Sequence, residues 1–284
     1  MTIISLTSIP PRFHLLQKTL VSLLSMKNEK GEIGEIRVNI PRNYRRFSEL
    51  DFSMPELPDG ARLVVVEEDL GPATKILPAI ADLGGTSCKI IYCDDDRIVH
   101  RNFGQDLIDA AKNKPECIVA NSGCDIELPG MKFEWHSAPN RVRRYNTHFD
   151  IPYRVRRLKQ KINGILGNYD PAKPKHSWSI RNGYMDIMQG CGGVIIKADQ
   201  LDREVFNIPT EVWTVDDIWL SGMAALKGTP IYSNNGYIPT EISGAADTAL
   251  VNQSINGMNR LEANQNCIRY LQRKYGIWSQ IDFS

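Results

Sequence analysis

The chain has 284 residues, a net charge of +1, 42% hydrophobic residues and 24% charged residues. These values are ordinary for a globular protein long enough to form one large α/β domain. The balanced charge gives no reason to expect a nucleic-acid partner, and no stretch reaches the roughly 20 apolar residues of a membrane-spanning helix.

The N-terminal segment and the cysteines both favour a cytoplasmic protein. Residues 1–12 lack a basic start, and their short apolar part ends in two prolines, so they do not have the pattern of a signal peptide. The six cysteines form no Cys-x-x-Cys pair, and several lie in apolar segments. We therefore expect buried, reduced thiols and no zinc site.

Strands and helices alternate along the first part of the chain. Short apolar runs bounded by prolines or acids predict strands, and apolar residues at helical spacing predict helices. In chain order we predict a strand at 2–9, a helix at 13–26, strands at 36–40 and 62–66, a helix at 73–83, a strand at 90–93, a helix at 106–112 and a strand at 117–120. This alternation predicts a parallel sheet with helices on both faces.

The second part of the chain is less regular. Residues 121–185 contain prolines, aromatic residues and many basic residues without clear periodicity, so we expect a long irregular segment there. Beyond it we predict regular structure at 186–197 around a glycine-rich turn, a helix at 216–227, a strand at 230–232 and a helix at 249–275.

The most informative stretch is a strand that ends in three aspartates. Residues 90–93 are apolar throughout, as in a strand buried on both faces, and Asp94, Asp95 and Asp96 follow directly. Ligands of α/β sheets bind beyond the carboxyl ends of strands, and adjacent carboxylates there favour a hard divalent cation that also binds phosphate. Asp94 and Asp96 face the same side of an extended segment. The alternative is a solvated turn, because aspartate is common in turns.

A second acidic motif, Asp216-Asp217, opens a predicted helix. The N-terminus of a helix keeps a carboxylate ionised through its dipole and its free N–H groups, as a general base requires. The alternative is that both aspartates only stabilise the start of the helix.

These motifs together resemble those of glycosyltransferases with the GT-A fold, in particular the family 2-like bacterial enzymes. Four motifs occur in the family's order between residues 2 and 232, namely the loop 6–12 after the first strand, the Asp-x-Asp motif, the glycine-rich turn 189–194 and the acidic pair. The resemblance implies an α/β, Rossmann-like and mostly parallel sheet flanked by helices, with an irregular basic insertion and a helical C-terminal segment. It further implies one domain that contains a donor-binding half at 1–120, an acceptor-side segment at 121–185, a catalytic half at 186–248 and a helical end at 249–284.

The resemblance also assigns roles to the acidic residues. Asp94 and Asp96 would hold Mn²⁺ or Mg²⁺ at the donor diphosphate, and Asp95 would face sugar or ribose hydroxyls. Asp217 would be the general base of an inverting transfer, with Asp216 as a capping or supporting residue.

Further residues would contact a nucleotide-sugar donor, for which we expect a UDP-sugar. They are Thr7, Pro10 and Arg12 of the first loop, Lys75 at a predicted helix start, and Gly192 and Gly193 of the glycine-rich turn. A helix start attracts anions, and Gly190, Gly192 and Gly193 let a ligand approach the backbone. The alternatives are solvated surface cations for Arg12 and Lys75 and a purely structural tight turn for the glycines.

A basic tract, residues 141–161, contains eight Arg and Lys residues against one acid, Asp150. It could bind an anionic acceptor, a lipid-linked diphosphate or glycan at the inner face of a membrane, or nucleic acid. The simpler alternative is a solvated basic face.

The pattern departs from the family in one respect. Many metal-dependent GT-A enzymes have a C-terminal histidine that completes the metal site, but no histidine follows His176 here. Asn252, Asn256 or water would have to replace it.

The sequence thus predicts a metal-dependent glycosyltransferase that acts on a hydroxyl of a glycan or glycolipid. A nucleotidyltransferase is one alternative, but it would have a glycine-rich loop after the first strand, and residues 8–12 contain no glycine. A non-catalytic binding module is another, although it would not need Asp94, Asp96 and Asp217.

Overall fold

The computed structural model describes residues 1–28, 30–126, 141–144, 151–165, 179–234, 239–242 and 258–278. The strands among them are β1 Thr2–Thr7, β2 Ile33–Pro41, β3 Ala61–Val66, β4 Lys89–Tyr92, β5 Arg97–Ile98, β6 Ile118–Ala120, β7 Gly123–Cys124, β8 Arg143–Arg144, β9 Ser179–Arg181, β10 Gly183–Met185, β11 Ile187–Met188, β12 Val194–Lys197, β13 Ile231–Ser233 and β14 Thr240–Glu241. The α-helices are α1 Phe13–Leu24, α2 Leu77–Leu83, α3 Phe103–Asn113, α4 Ile151–Ile165, α5 Asp216–Lys227 and α6 Arg260–Tyr275.

The central sheet has eight strands in the order β10-β13-β6-β12-β4-β1-β2-β3. Six of them run in one direction, while β12 runs against both β4 and β6, and β10 runs against β13. The predicted α/β fold with a mostly parallel sheet flanked by helices is therefore confirmed. Strands far apart in the chain are neighbours, so the first and last thirds of the described chain share one sheet.

Alternating side chains of the strands build two apolar cores, one on each face of the sheet. On β4, Ile90 and Tyr92 join the core that contains Trp219 of α5 and Leu271 of α6. Their neighbours Ile91 and Cys93 join the opposite core, with α1 and α3. All four side chains of this strand region are fully buried, as the unbroken apolar run predicts.

Two predicted helices start later than expected. The segment predicted as a helix at 73–83 begins as a 3-10 turn at Gly71–Lys75, and α2 starts only at Leu77, with Pro78 in its first turn. Proline fits there because the first N–H groups of a helix have no partner within it. Of the helix predicted at 249–275, α6 begins at Arg260 and residues 249–257 lie outside the described part. Asn259 caps α6 by accepting from the N–H of Glu262, whose side chain accepts from the Asn259 N–H in return.

The prediction of irregular structure throughout 121–185 was wrong at α4. Its apolar residues do recur every three or four positions, but the many basic residues between them and Pro152 near its start hide the helical pattern. Proline in the first turn does not break a helix. No helix among the described residues is long and apolar enough to span a membrane.

Candidate functional site

A cavity of about 360 Å³ lies at the carboxyl ends of β1 to β4. Because these four strands are parallel, the loops that follow them meet at one edge of the sheet, and the N-terminus of α5 reaches the same edge. The volume is in the range of small-molecule sites. The polar and aromatic residues of its wall are Thr7, Ser8, Arg12, Tyr44, Arg46, Phe47, Asp69, Lys75, Asp94, Asp95, Asp96, Arg97, Trp213, Thr214, Asp216, Asp217, Glu241 and Arg260.

Lys75 connects the two acidic motifs. Its Nζ donates to Asp94 Oδ1 at 2.6 Å and lies 2.8 Å from Asp216 Oδ2, while only 6% of the residue is exposed. Burial would lower the pKa of Lys75, but the charges of Asp216, Asp94 and Asp217 outweigh it and raise that pKa well above its usual range. The lysine is therefore a permanent cation at the centre of the cavity.

Lys75 also determines the charge of Asp94. Burial acts to raise the pKa of this carboxyl group, but the adjacent ammonium of Lys75 has the greater net effect and lowers the pKa. Asp94 is thus ionised at neutral pH.

Asp217 has the properties of a base. Its Oδ1 accepts a hydrogen bond from the N–H of Gly190 at 3.0 Å, which fixes the orientation of the carboxylate. Burial and the charge of Asp216 raise the pKa of Asp217 to about 7, against the opposing effect of Lys75. A carboxylate with such a pKa takes up a proton far more readily than an exposed aspartate does.

Asp216 supports this arrangement without capping the helix. Val215 is the N-cap residue of α5 and makes no side-chain cap bond, and the buried carboxylate of Asp216 pairs with Lys75. The prediction of a capping role for Asp216 was therefore wrong. Its supporting role is to balance the charge of Lys75.

Arg12 holds the other two aspartates. Its Nη1 lies 3.1 Å from both Asp95 Oδ1 and Asp96 Oδ2, and Ser8 donates a hydrogen bond to Asp95. Burial raises the pKa of Asp95 to about 6 although Arg12 opposes it. Asp95 is thus a structural acid that ties the first loop to β4, and the predicted contact of Asp95 with sugar or ribose hydroxyls stays a prediction.

The predicted metal ligands have mixed surroundings. Nε of Arg97 lies 3.0 Å from Asp96 Oδ1, but this oxygen is buried and no N–H or O–H of the described residues is directed at it for a hydrogen bond. The cavity wall also carries seven acidic residues against five basic ones. A diphosphate would enter this excess of negative charge more easily with a divalent cation, and the predicted role of Asp94 and Asp96 as ligands of such a cation stays a prediction.

The described residues do not complete a metal site by themselves. They contain no group of three His, Cys, Asp or Glu residues arranged to hold a metal ion. Further ligands would have to come from the diphosphate, from water or from residues outside the described part of the chain. Asn252 and Asn256, predicted as substitutes for the missing histidine, lie outside the described residues.

Some of the residues that were predicted to contact the donor line the cavity, and others do not. Thr7, Arg12 and Lys75 line the cavity, but Pro10, Gly192 and Gly193 do not. A Cβ at Gly192 would meet Ser122, and a Cβ at Gly193, whose φ is +86°, would meet the ring of Phe103. These two glycines leave room for Ser122 and for the ring of Phe103 on α3, so the structure gives no support to their predicted contact with a donor.

Of the glycine-rich turn, Gly190 lies next to the ion pair of Lys75 and Asp94. A Cβ there would lie 2.7 Å from Lys75 Nζ and 3.1 Å from Asp94 Oδ1. Its missing side chain thus makes room for the ion pair, and its N–H binds Asp217. The position of this residue at the start of the glycine-rich turn was the available signal, but sequence alone could not tell it from its neighbours.

Three aromatic residues of the wall, Tyr44, Phe47 and Trp213, were missed. The hydroxyl of Tyr44 donates to the carbonyl of Ser8 at 2.6 Å, and Trp213 Nε1 donates to the carbonyl of Asp69 at 3.1 Å. Tyr44 follows the carboxyl end of β2, and Trp213 precedes the acidic pair by three residues, so both positions could have been flagged by their place next to predicted motifs.

The described residues of the basic tract take no part in this cavity. None of the described residues of 141–161 lines it, and Arg141 instead binds Asp125 and, at 2.7 Å, Asp186. Arg141 therefore has a structural role at the base of the segment that leads to α4.

No protein-family profile matches the sequence, and no curated protein matches it. Among solved structures, GalNAc-T7 with UDP, GalNAc and Mn²⁺ is similar, with a TM-score of 0.53 and 10% identity over 97% of this chain and 49% of that chain. S. aureus TarS 1–349 gives a TM-score of 0.43 and 11% identity over 98% of this chain and 72% of that one. The chain thus has the GT-A fold of GalNAc-T7 and spans about half the length of that chain.

Proposed function

We propose that the protein is a glycosyltransferase that moves a sugar from a nucleotide-sugar to a hydroxyl group of a glycan or glycolipid. The observation that carries the proposal is the convergence of Asp94, Asp216 and Asp217 on Lys75 in one cavity at the carboxyl ends of the parallel strands. The cavity supplies both a phosphate-binding cation and a candidate base, which is what this reaction needs.

Asp217 is the proposed base. The acceptor oxygen attacks the anomeric carbon of the sugar as the bond from that carbon to the diphosphate breaks, and the hydroxyl proton passes to Asp217. The nucleoside diphosphate leaves with the bonding electron pair. Attack from the face opposite the leaving group inverts the configuration of the sugar. The Gly190 N–H keeps the carboxylate oriented during this step.

The basic residues of the wall are proposed to receive the diphosphate. Lys75 and Arg12 are both almost buried, and they already pair with Asp94 and Asp216 and with Asp95 and Asp96, so a diphosphate would share these two cations with the carboxylates. Mn²⁺ or Mg²⁺, held by Asp94 and Asp96, would neutralise the leaving diphosphate. The UDP and Mn²⁺ bound to GalNAc-T7 support trying a UDP-sugar and manganese first.

The test is donor turnover by wild type and by Asp217→Asn. Each of UDP-glucose, UDP-N-acetylglucosamine, UDP-galactose and GDP-mannose is incubated with Mn²⁺ and an octyl glycoside acceptor, and the released nucleoside diphosphate is measured. We expect one donor to be consumed, and the variant to be slower by about 10²–10⁴-fold, the usual contribution of a general base.

A matched control is Asp199→Asn, because Asp199 is exposed and far from the acidic motifs in the chain. It should turn over like wild type. If wild type binds a nucleotide but Asp217→Asn keeps full turnover, Asp217 is not the base. If no donor is consumed or bound, the binding-module alternative replaces this proposal.

A further inference from the structure

Helix α4 presents an apolar stripe to solvent. Ile151, Val155, Leu158, Ile162 and Ile165 have exposed fractions of 69%, 57%, 60%, 47% and 86%. At 3.6 residues per turn these five positions fall within an arc of about 80°. Exposed side chains of this size on one face of one helix are uncommon in a folded protein and indicate a surface that is covered by a partner.

The rest of the helix is strongly basic. It contains five Arg and Lys residues and no Asp or Glu. Arg154 and Lys161 border the apolar stripe on one side and Lys159 borders it on the other, according to the helical repeat. Among the α4 residues whose burial the structure describes, Tyr153 and Arg157, on the face away from the stripe, are half-buried. The stripe is thus turned away from the protein.

The helix lies in a segment of the chain that is connected to one end of the central sheet. Strands β8 and β9 pair just before and after the segment that contains α4, and β9 leads into the edge strand β10. No described helix or strand packs extensively against α4. The stripe is therefore accessible to a large flat partner.

We propose that α4 lies on the surface of a bilayer that contains anionic lipids. The apolar stripe would enter the boundary between headgroups and acyl chains, and the basic residues beside it would bind lipid phosphates. A second copy of this helix is a poor alternative partner, because two such faces in contact would bring together the three basic residues that border each stripe, six like charges with no acid of α4 between them.

The test is cosedimentation of the purified protein with vesicles of phosphatidylcholine alone and of phosphatidylcholine mixed with phosphatidylglycerol. We expect binding to the mixed vesicles that weakens as salt is added. The triple variant Val155→Ser/Leu158→Ser/Ile162→Ser should bind at least about tenfold more weakly, because the apolar contact is lost. Lys159→Gln/Lys161→Gln should lose about fivefold per lysine on the mixed vesicles only.

The matched control is Val21→Ser/Leu50→Ser/Leu261→Ser, which removes three exposed aliphatic side chains elsewhere, with exposed fractions of 57%, 45% and 40%. It should bind vesicles like wild type. Equal loss in both triple variants, or no vesicle binding by wild type, would overturn the proposal. A dimer in size-exclusion chromatography that only the α4 triple variant dissociates, without vesicle binding, would instead identify a second copy as the partner. None of these measurements depends on turnover, so they remain informative if the proposed function fails.

Discussion

The cavity and helix α4 depart in opposite ways from the usual burial of apolar side chains and exposure of charged ones. In the cavity, charges that prefer water are buried, and each of Asp94, Asp96 and Asp216 is balanced by a basic side chain at 2.6–3.1 Å. On α4, apolar side chains that prefer the interior are exposed, with up to 86% of Ile165 accessible. Both arrangements oppose stability, because folding favours buried apolar groups and solvated charges. A departure from these preferences therefore marks a surface or a site that binds a ligand or a partner.

The two regions also differ in how their residues depend on one another. Removal of one charge in the cavity leaves its partners buried and uncompensated. Removal of one side chain from α4 changes only a surface that the rest of the described fold does not contact extensively. Substitutions in the cavity should therefore change stability more than substitutions on the exposed face of α4.

Lys75→Met should have the largest effect. It leaves Asp94, Asp216 and Asp217 in a buried cluster without their shared cation. Loss of one partner of a buried ion pair destabilises by about 3–5 kcal/mol. For a chain of this size the melting temperature should fall by roughly 6–15 °C in a calorimetric scan at pH 8.

The control for this variant is Lys112→Met. Lys112 pairs with Glu32 at 2.7 Å on the surface, so its loss should change the melting temperature little. A small and equal effect of both substitutions would show that Lys75 does not hold the cavity together.

Asp217→Asn should raise stability in a pH-dependent way. The pKa of Asp217 is raised from 3.8 to about 7 in the folded protein. An ionised carboxylate of this kind disfavours folding, and its cost grows as pH rises from about 4 to about 7 and is then constant. The asparagine removes that cost, so the gain in melting temperature should be several degrees at pH 8 and smaller at pH 5. The same gain at both pH values would contradict the raised pKa.

Gly193→Ala separates a packing role from a donor role. The positive φ and the nearby ring of Phe103 predict a loss of about 1–3 kcal/mol, or roughly 2–9 °C. Gly85→Ala is the comparison, because Gly85 has a φ of +80° but no atom within 4 Å of the position that a Cβ would occupy, so only backbone strain remains. If a nucleotide stabilises Gly193→Ala as much as wild type, Gly193 serves packing and does not contact the donor. If the variant folds but no longer binds the nucleotide, the predicted contact of Gly193 with the donor is supported.

The α4 triple variant Val155→Ser/Leu158→Ser/Ile162→Ser should have the smallest effect on stability. All three side chains are largely exposed, and exposed substitutions usually change the free energy of unfolding by less than about 0.5 kcal/mol each. The melting temperature should therefore change by only a few degrees at most. A fall comparable to that of Lys75→Met would mean that the stripe is part of a core.

The sequence predicted the location of the site better than its internal contacts. The apolar run before Asp94 and the predicted helix at Asp216 both placed acids at one edge of a parallel sheet, and α5 has the predicted bounds 216–227. The ion pair of Lys75 with Asp216 joins residues 141 positions apart, and no local pattern records such a contact. Helix α4 escaped detection for a different reason, since its basic residues hid a periodic stripe that no core contact enforces.

The most direct test of the central claim is thermal melting with UDP, GDP, CMP and dTDP, each with Mn²⁺ and with EDTA. A nucleotide at about 100 times its Kd stabilises by about 2.7 kcal/mol, so we predict that one nucleotide raises the melting temperature by several degrees. The shift should require Mn²⁺ and be lost in Asp96→Asn. An equal shift in EDTA would still support the donor site, but it would mean that Lys75 and Arg12 neutralise the diphosphate without a metal. If no nucleotide shifts the melt under either condition, the cavity is not a nucleotide-sugar site.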